Sequence, residues 1–423
     1  MTENVELHTL SLREVFEKNL RIPDYQRIYC WTEKNVYRLL DDIQFLNREY
    51  RLGTLIVQKK IEEGAETYDI IDGQQRLVTL SLILLELGDE TSPLLSQSFN
   101  SDEAHEYVAY NRFLIKNYLD KFKHYNVQNL MKSLTFNVLV LSDSSLDLAY
   151  TFFSNENSRG CPLSDFDLLK AHHLRYVVTE QQALHLSSRW DAMLLAEQEK
   201  DDKEERTYER SLGLYIFRLR KWLNYNAWND NEKYRVKNEY EAAATYDEIP
   251  PFGERFQYKE QFQYKEPIQG GSHFFAYVSQ FVEKFQTFAQ TGQYKTVHKV
   301  LTGETHNWFR DVIESLLFGY YLKFGTDYLS EALVLIMRII SRARYENRRI
   351  HKNTIFDCAR ESKIVPLIDQ ATSPTFFIAA LVDNIKRLPG YNDFTGIRKR
   401  YSARAEQIEG EMKKSYAVKN LEV

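Results

Sequence analysis

The sequence predicts an α+β protein, with mixed strands and helices over residues 1–175 and a large, mainly α-helical part over residues 176–423. Glycine and proline, at 16 and 9 residues in 423, are scarce beside the usual usage of about 7% and about 5%. Turn-rich all-β folds and long flexible linkers need those residues, so both are disfavoured. The pattern also changes along the chain: the first ninety residues alternate short β-rich runs with amphipathic ones, whereas helical periods dominate after about residue 165.

Each element has a local cause. Ser11 and Glu14, in S-x-x-E spacing, start a short helix through Phe16, because the two side chains satisfy amides that a first helical turn leaves open. LRIPDYQ is extended, since the residue before Pro23 is held out of the α region. From Glu33 to Tyr50, Val36, Leu39, Leu40, Ile43 and Leu46 fall on one helical face. Thr54–Lys59 and Thr67–Ile71 are β-rich runs around Glu62, Glu63 and Gly64, which reads as a hairpin. The second run ends in Asp72-Gly73 and passes into an apolar helix, Gln74–Leu87. A helix over Glu103–Lys123, a strand over Phe136–Leu141 and a helix near Leu146–Phe153 follow. Gly160 and Pro162 then punctuate a loop, and Ser164 with Asp167 restarts a helix by the same capping device. Downstream, LYIFRLRKWL, HFFAYVSQFVEKF and YLSEALVLIMRIISRARY keep the helical period. FQYKE recurs at 256–260 and 262–266, a duplication too short for a repeat fold and read as a loop.

Lysine plus arginine is 55 against 60 acidic residues, a formal net charge of −5. This lacks the excess of a non-specific nucleic-acid binder, so any polyanion site must be local. Cys30, Cys161 and Cys358 are too far apart for a disulfide framework or metal-ligand spacing, which fits a reducing compartment. The N-terminus has no basic stretch followed by an apolar one, and no run approaches the ~18 apolar residues of a membrane span. A soluble, cytoplasmic protein with no membrane partner is expected.

Chemistry concentrates at Asp72-Gly73-Gln74-Gln75-Arg76, where a buried strand should turn into a helix. A helix start presents unpaired N–H groups and a partial positive charge, and glycine allows close backbone approach, so the junction suits phosphate. Arg76 adds a forked donor, and the amides of Gln74 and Gln75 can hold a phosphate oxygen or a water. Asp72 can cap the helix, orient Arg76 or hold a divalent cation; a plain cap with an Asp72–Arg76 pair explains the spacing equally well. In IPDYQRIYCW, Tyr25 and Trp31 can stack on a base or ribose while Gln26 and Arg27 reach phosphate. The bland alternative is a half-buried strand end with a snorkelling arginine.

In this order and at these spacings, IPDYQRIYCW, LGTLIVQ, YDIIDGQQRLVTL and FFSNENSRGCPLSDFDLLKAHHLR resemble the N-terminal domain family of GmrSD-type modification-dependent restriction systems. That family includes SspE-like phage-defence effectors, and its fold resembles the ParB/sulfiredoxin α/β fold. The likeness covers about residues 10–175, and HFFAYVSQF resembles the family's downstream helical part. It implies a nucleoside triphosphatase, dependent here on Mg²⁺, with GTP, ATP and CTP all open. By the same resemblance hydrolysis lies in the D-G-Q-Q-R motif, with Asp72, Gln74, Gln75 and Arg76 as its side chains; Arg76 would then stabilise charge on phosphate, Gln74 or Gln75 would position the attacking water, and Asp72 would hold the metal or orient Arg76. Tyr25, Gln26, Arg27 and Gly73 line the nucleotide pocket. From the third motif Asn157, Arg159, Gly160 and Lys170 fit that pocket chemically, although a turn, a cap and a surface pair at Asp167 and Lys170 account for them too.

Restriction enzymes of this family often carry a C-terminal HNH-type nuclease. The histidines here, His273, His298, His306 and His351, lie in helical patterns without a matching context, and adjacent His172 and His173 point about 100° apart. No nuclease is expected in this chain, so either a partner subunit cuts or the chain acts by binding and nucleotide turnover alone. One stretch suits a phosphate backbone: Arg338, Arg342 and Arg349 lie near one helical face in RIISRARYENRRIHK, although a solvated or acid-paired face is the usual reading of such runs. DNA, including modified DNA, and a nuclease subunit are the expected partners, with a homo-oligomer also open. The alternative is a regulatory or specificity module that binds nucleotide or DNA without turnover.

Overall fold

The computed structural model describes residues 5–23, 26, 28–44, 49–62, 64–96, 102–121, 126–142, 164–177, 179–198, 207–241, 263–303, 305–347, 349–386 and 395–419. They divide into two compact units, Met1–Ala196 with Gly270–Ser272, and Glu197–Gln269 with His273–Val423. The sequence reading places its boundary at residue 175, ahead of a helix whose residues up to Ala196 fall in the first unit.

The first unit runs β1 (Val5–Ser11), α1 (Leu12–Phe16), β2 (Leu20–Arg21), α2 (Glu33–Ile43), β3 (Tyr50–Glu62), β4 (Ala65–Asp72), α3 (Gln74–Glu86), α4 (Asp102–Lys121), α5 (Val127–Ser133), β5 (Leu134–Leu141), α6 (Asp165–Leu174) and α7 (Glu180–Gln198). Its five strands form one mixed sheet in the order β1-β5-β3-β4-β2. β3 and β4 make the expected antiparallel hairpin, and β5 enters the sheet parallel to β3 and antiparallel to β1. The Ser11–Glu14 capping box is present at α1, and a second one, Ser164–Asp167, starts α6.

One face of the sheet packs on α1 to α5 through a core that includes Leu12, Val36, Leu40, Leu55, Val57, Ile70, Leu77 and Phe136. α3 is buried along nearly its whole length, from Leu77 to Leu84. Each fully buried leucine or isoleucine there contributes about 1.5–3 kcal/mol, so α3 is held as the central helix of the unit. On the opposite face Ile56, Gln58, Asp69 and Ile71 are buried as well. Asp69 sits there between two cations, with Arg21 Nε at 2.6 Å and Lys60 Nζ at 2.6 Å.

Two differences from the sequence reading have physical reasons. β1 lacks a buried apolar alternation, five of its seven residues being exposed, and it exists because β5 offers it a hydrogen-bonding edge. α2 ends at Ile43, although the helix was expected to run to Tyr50, because Tyr50 instead opens β3 and pairs with Leu134 of β5. The helix expected near 146–153 and most of the FQYKE duplication lie outside the described residues.

The described residues of the second unit are mainly helical, and no strand occurs among them. Residues 207–223 form α8, interrupted by a π-helical stretch, Ser211–Ile216. After it come α9 (Lys237–Tyr240), α10 (Ser272–Ala289), α11 (Gly292–Val300), α12 (His306–Phe324), α13 (Leu329–Glu346), α14 (Lys352–Glu361), α15 (Ile364–Gln370), α16 (Pro374–Lys386) and α17 (Gly396–Lys419). Its core is aromatic: Phe285, Phe288 and Phe318 meet with ring centroids 5.2–6.3 Å apart. Inside it lies a charged cluster in which Glu314, fully buried, accepts from Arg210 Nη2 at 2.7 Å and from Tyr215, with His298 Nδ1 at 3.0 Å. Burial alone would raise the Glu314 pKa, but Arg210 and the His298 hydrogen bond overcome it and hold the carboxyl at about 2. Among the described residues no helix is long and apolar enough to cross a membrane.

Candidate functional site

The strand-to-helix junction at the end of β4 is built by two glycines and one arginine. Gly73 has φ +101°, a left-handed conformation that favours glycine. A Cβ there would also come within 2.2 Å of Leu55 Cδ2. The chain therefore turns sharply from Asp72 into α3, and the N-cap position, being glycine, supplies no side-chain cap. The amides of its first turn have no intrahelical partner.

Arg76 occupies a receptor that β3 forms for it. The β3–β5 pairing shifts register between Arg51 and Thr54, and Gly53 at that irregularity has φ +108°. This bulge turns two carbonyls on the guanidinium: Arg76 Nη1 donates to Leu52 O at 2.9 Å and Nη2 to Thr54 O at 2.6 Å. A Cβ on Gly53 would lie 2.8 Å from Nη1, so the closeness depends on glycine. Nη2 also donates to Asp72 Oδ2 at 3.2 Å, closing the expected i,i+4 pair. Burial lowers the Arg76 pKa from the usual arginine value and Asp72 opposes the shift. A cation is thus fixed beside an uncapped helix start.

The two glutamines of the motif diverge. Gln75 is a clamp: its Oε1 accepts from Cys30 N at 2.9 Å and its Nε2 donates to Ile28 O at 3.0 Å. Gln74 is buried, and its Oε1 has no hydrogen-bond partner among the described residues. An orphaned buried acceptor costs about 1–3 kcal/mol, which a bound water or ligand donor would recover. Gln26, from the first motif, reaches the same strand end, donating Nε2 to the carbonyls of Ile70 at 3.0 Å and Ile71 at 2.7 Å. Behind this, Tyr29 Oη lies 2.8 Å from Thr79 Oγ1 and accepts from Asn111 Nδ2 at 3.1 Å; burial pushes its phenol up to about 12.

The third motif joins through Lys170, whose side chain is buried. Its Nζ donates to both carboxylate oxygens of Asp191, at 2.9 and 2.8 Å, and to Gln26 O at 3.3 Å. The fold therefore brings Gln26, Asp72 to Arg76 and Lys170 together from three separate motifs. Tyr25, Arg27, Asn157, Arg159 and Gly160 lie outside the described residues.

Two family models match the chain. Residues 12–174 match the GmrSD restriction endonuclease, N-terminal domain, and residues 182–396, just over half of the chain, match a family of unknown function, DUF7834. The chain belongs to the DUF7834 family and carries a GmrSD N-terminal domain ahead of it. The GmrSD domain spans all three motifs just described and marks a restriction-system component. No curated protein matches the chain.

In the DUF7834 region the basic helix is acid-paired. Arg338 makes a forked contact with Glu409 at 2.8 and 2.7 Å, and Arg342 pairs with Glu346 at 2.7 Å. Arg349 is exposed beyond the end of α13. Among the described residues no group of three or more His, Cys, Asp or Glu side chains could hold a metal ion. The sequence reading missed Asp191 and the Leu52 and Thr54 carbonyls. An aspartate inside a helical run gives no local signal, and main-chain acceptors give none at all.

Proposed function

We propose that the GmrSD domain binds a nucleoside triphosphate with Mg²⁺ and hydrolyses it, within a restriction or anti-phage defence system. The observation that carries this reading is the buried Gln74 Oε1, without a hydrogen-bond partner among the described residues, at a helix start whose N-cap is glycine, two residues before a cation fixed by two carbonyls. Phosphate oxygens suit the first-turn amides, and Gln74 suits the attacking water. Arg76 would act as a preorganised charge, since Leu52 O, Thr54 O and Asp72 fix three of its five N–H donors before any substrate arrives. Asp72, with its side chain 36% exposed, fits a Mg²⁺ that keeps most of its waters and takes its other ligands from phosphate. When bound, that ion would neutralise charge on the phosphates.

DNA is proposed as the partner of the whole chain on the strength of the GmrSD domain. The α13 arginines support it less than the sequence suggested, because a phosphate would have to displace Glu409 and Glu346. Cleavage is proposed to come from a partner subunit: in the helical unit His298 is tied to Glu314 and His306 is fully buried.

The test is phosphate release from GTP, ATP and CTP by the purified chain, with DNA present. Arg76→Ala, Asp72→Ala and Gln74→Ala should each lower turnover by about 10²-fold or more. Unchanged release in all three would remove the assignment. A second reading, binding without turnover, draws support from Gln75, whose side-chain oxygen and nitrogen are each already bonded to main chain. Calorimetric binding with no phosphate release on any DNA would favour it.

A further inference from the structure

Lys170 was expected to touch nucleotide, yet its geometry leaves it nothing to touch nucleotide with. An ammonium has three N–H donors. Here three oxygens take them: Asp191 Oδ1, Asp191 Oδ2 and the main-chain carbonyl of Gln26. The Lys170 side chain is only 2% exposed. The far end of this contact is the site itself, for the Gln26 side chain binds the last two carbonyls of β4 before Asp72. Gln75 secures the same segment two and four residues on, at Ile28 and Cys30. Asp191 on α7, Lys170 on α6, Gln26 and the end of β4 thus form one continuous hydrogen-bonded chain.

We infer that Asp191 and Lys170 are positioning residues for the nucleotide site, setting where the Gln26 segment lies against Asp72 to Arg76. Resting on the nucleotide reading above, this role concerns affinity and leaves the chemical step to the junction. The pair is suited to it because a buried ammonium cannot leave its carboxylate without a large desolvation penalty. The Gln26 carbonyl is therefore held by a partner that is itself fixed, which a solvated surface lysine could not provide.

Removing one member alone would strand a buried charge, so the informative variant removes both: Lys170→Met with Asp191→Asn in the full chain. The measurements are steady-state phosphate release, nucleotide affinity by calorimetry, and the thermal unfolding midpoint, with Asp191→Glu as the conservative comparison. The double variant should stay folded, raise KM and the nucleotide Kd about tenfold, and leave kcat within about threefold. Asp191→Glu should recover most of the affinity. A folded double variant with unchanged KM and Kd would overturn the positioning role while leaving the nucleotide reading intact. A fall in kcat at constant KM would overturn it too, by placing the pair in the chemical step. If the unaltered chain neither binds nor hydrolyses any of the three nucleotides, the nucleotide reading fails and the role assigned to Asp191 falls with it.

Discussion

Gly53 and Arg76 show how the placement of one side chain can depend on the backbone of a residue 23 positions away. The arginine is held by Leu52 O and Thr54 O, and both carbonyls face it because the chain at Gly53 adopts φ +108°. A methyl group at position 53 would be strained by that dihedral and would press on Nη1 from 2.8 Å. Gly53→Ala is therefore expected to cost about 1–3 kcal/mol, read by denaturant unfolding. It should also depress phosphate release as Arg76 shifts, although Gly53 lies outside the motif that suggested the site. The sequence reading assigned Gln74 and Gln75 a single role, amides for a phosphate oxygen or a water. The fold separates them, since Gln75 is consumed by main chain at residues 28 and 30 while the buried Gln74 oxygen is left without a partner. Two adjacent helix positions point about 100° apart, and which of them meets the Ile28–Cys30 segment depends on packing.

At the level of elements, local chemistry was legible wherever it acts within a few residues. Both S-x-x-E/D capping boxes form as the spacing demands, and Gln74 begins its helix directly after Asp72-Gly73. The cap on α6 also bears on the site, because it fixes the start of the helix that carries Lys170. Ser164 donates to and accepts from the Asp167 pair, with Ser164 N to Asp167 Oδ2 at 2.9 Å. Ser164→Ala should lower stability by about 1 kcal/mol, measurable as a fall in the unfolding midpoint. A much larger loss would mean that the serine does more than cap. β1 marks the limit of such reading. An edge strand with exposed side chains carries no apolar alternation, so only its partner β5 reveals it.

For the molecule as a whole, the clearest energetic statement concerns the helical unit. Glu314 is held at about 2, below the ordinary carboxylate value of 4.5. Its folded form therefore binds protons less readily than its unfolded form, and the stability it contributes is complete above about pH 4.5 and lost as pH falls towards about 2. Glu314→Gln leaves buried Arg210 without its carboxylate, so it should destabilise the protein at pH 7 by about 3–5 kcal/mol. The gap from the unaltered protein should narrow between pH 4.5 and pH 2, as urea titrations across that range would register. A constant gap would show that the carboxylate does not titrate in the folded state. No sequence pattern announced this cluster, because Arg210 and Glu314 are 104 residues apart and each sits in an otherwise ordinary helical run. By itself the sequence determined the α+β class, the strand-turn-helix junction and the motifs that mark a GmrSD domain, because capping, turn preference and side-chain period act over a few residues. Tertiary structure alone decided that Arg76 is gripped by a bulge in β3, that Gln75 is a clamp, and that Lys170 turns from solvent to Asp191. Those outcomes depend on strand register and on contacts spanning up to 144 residues, and burial is what makes each of those polar groups require its partner.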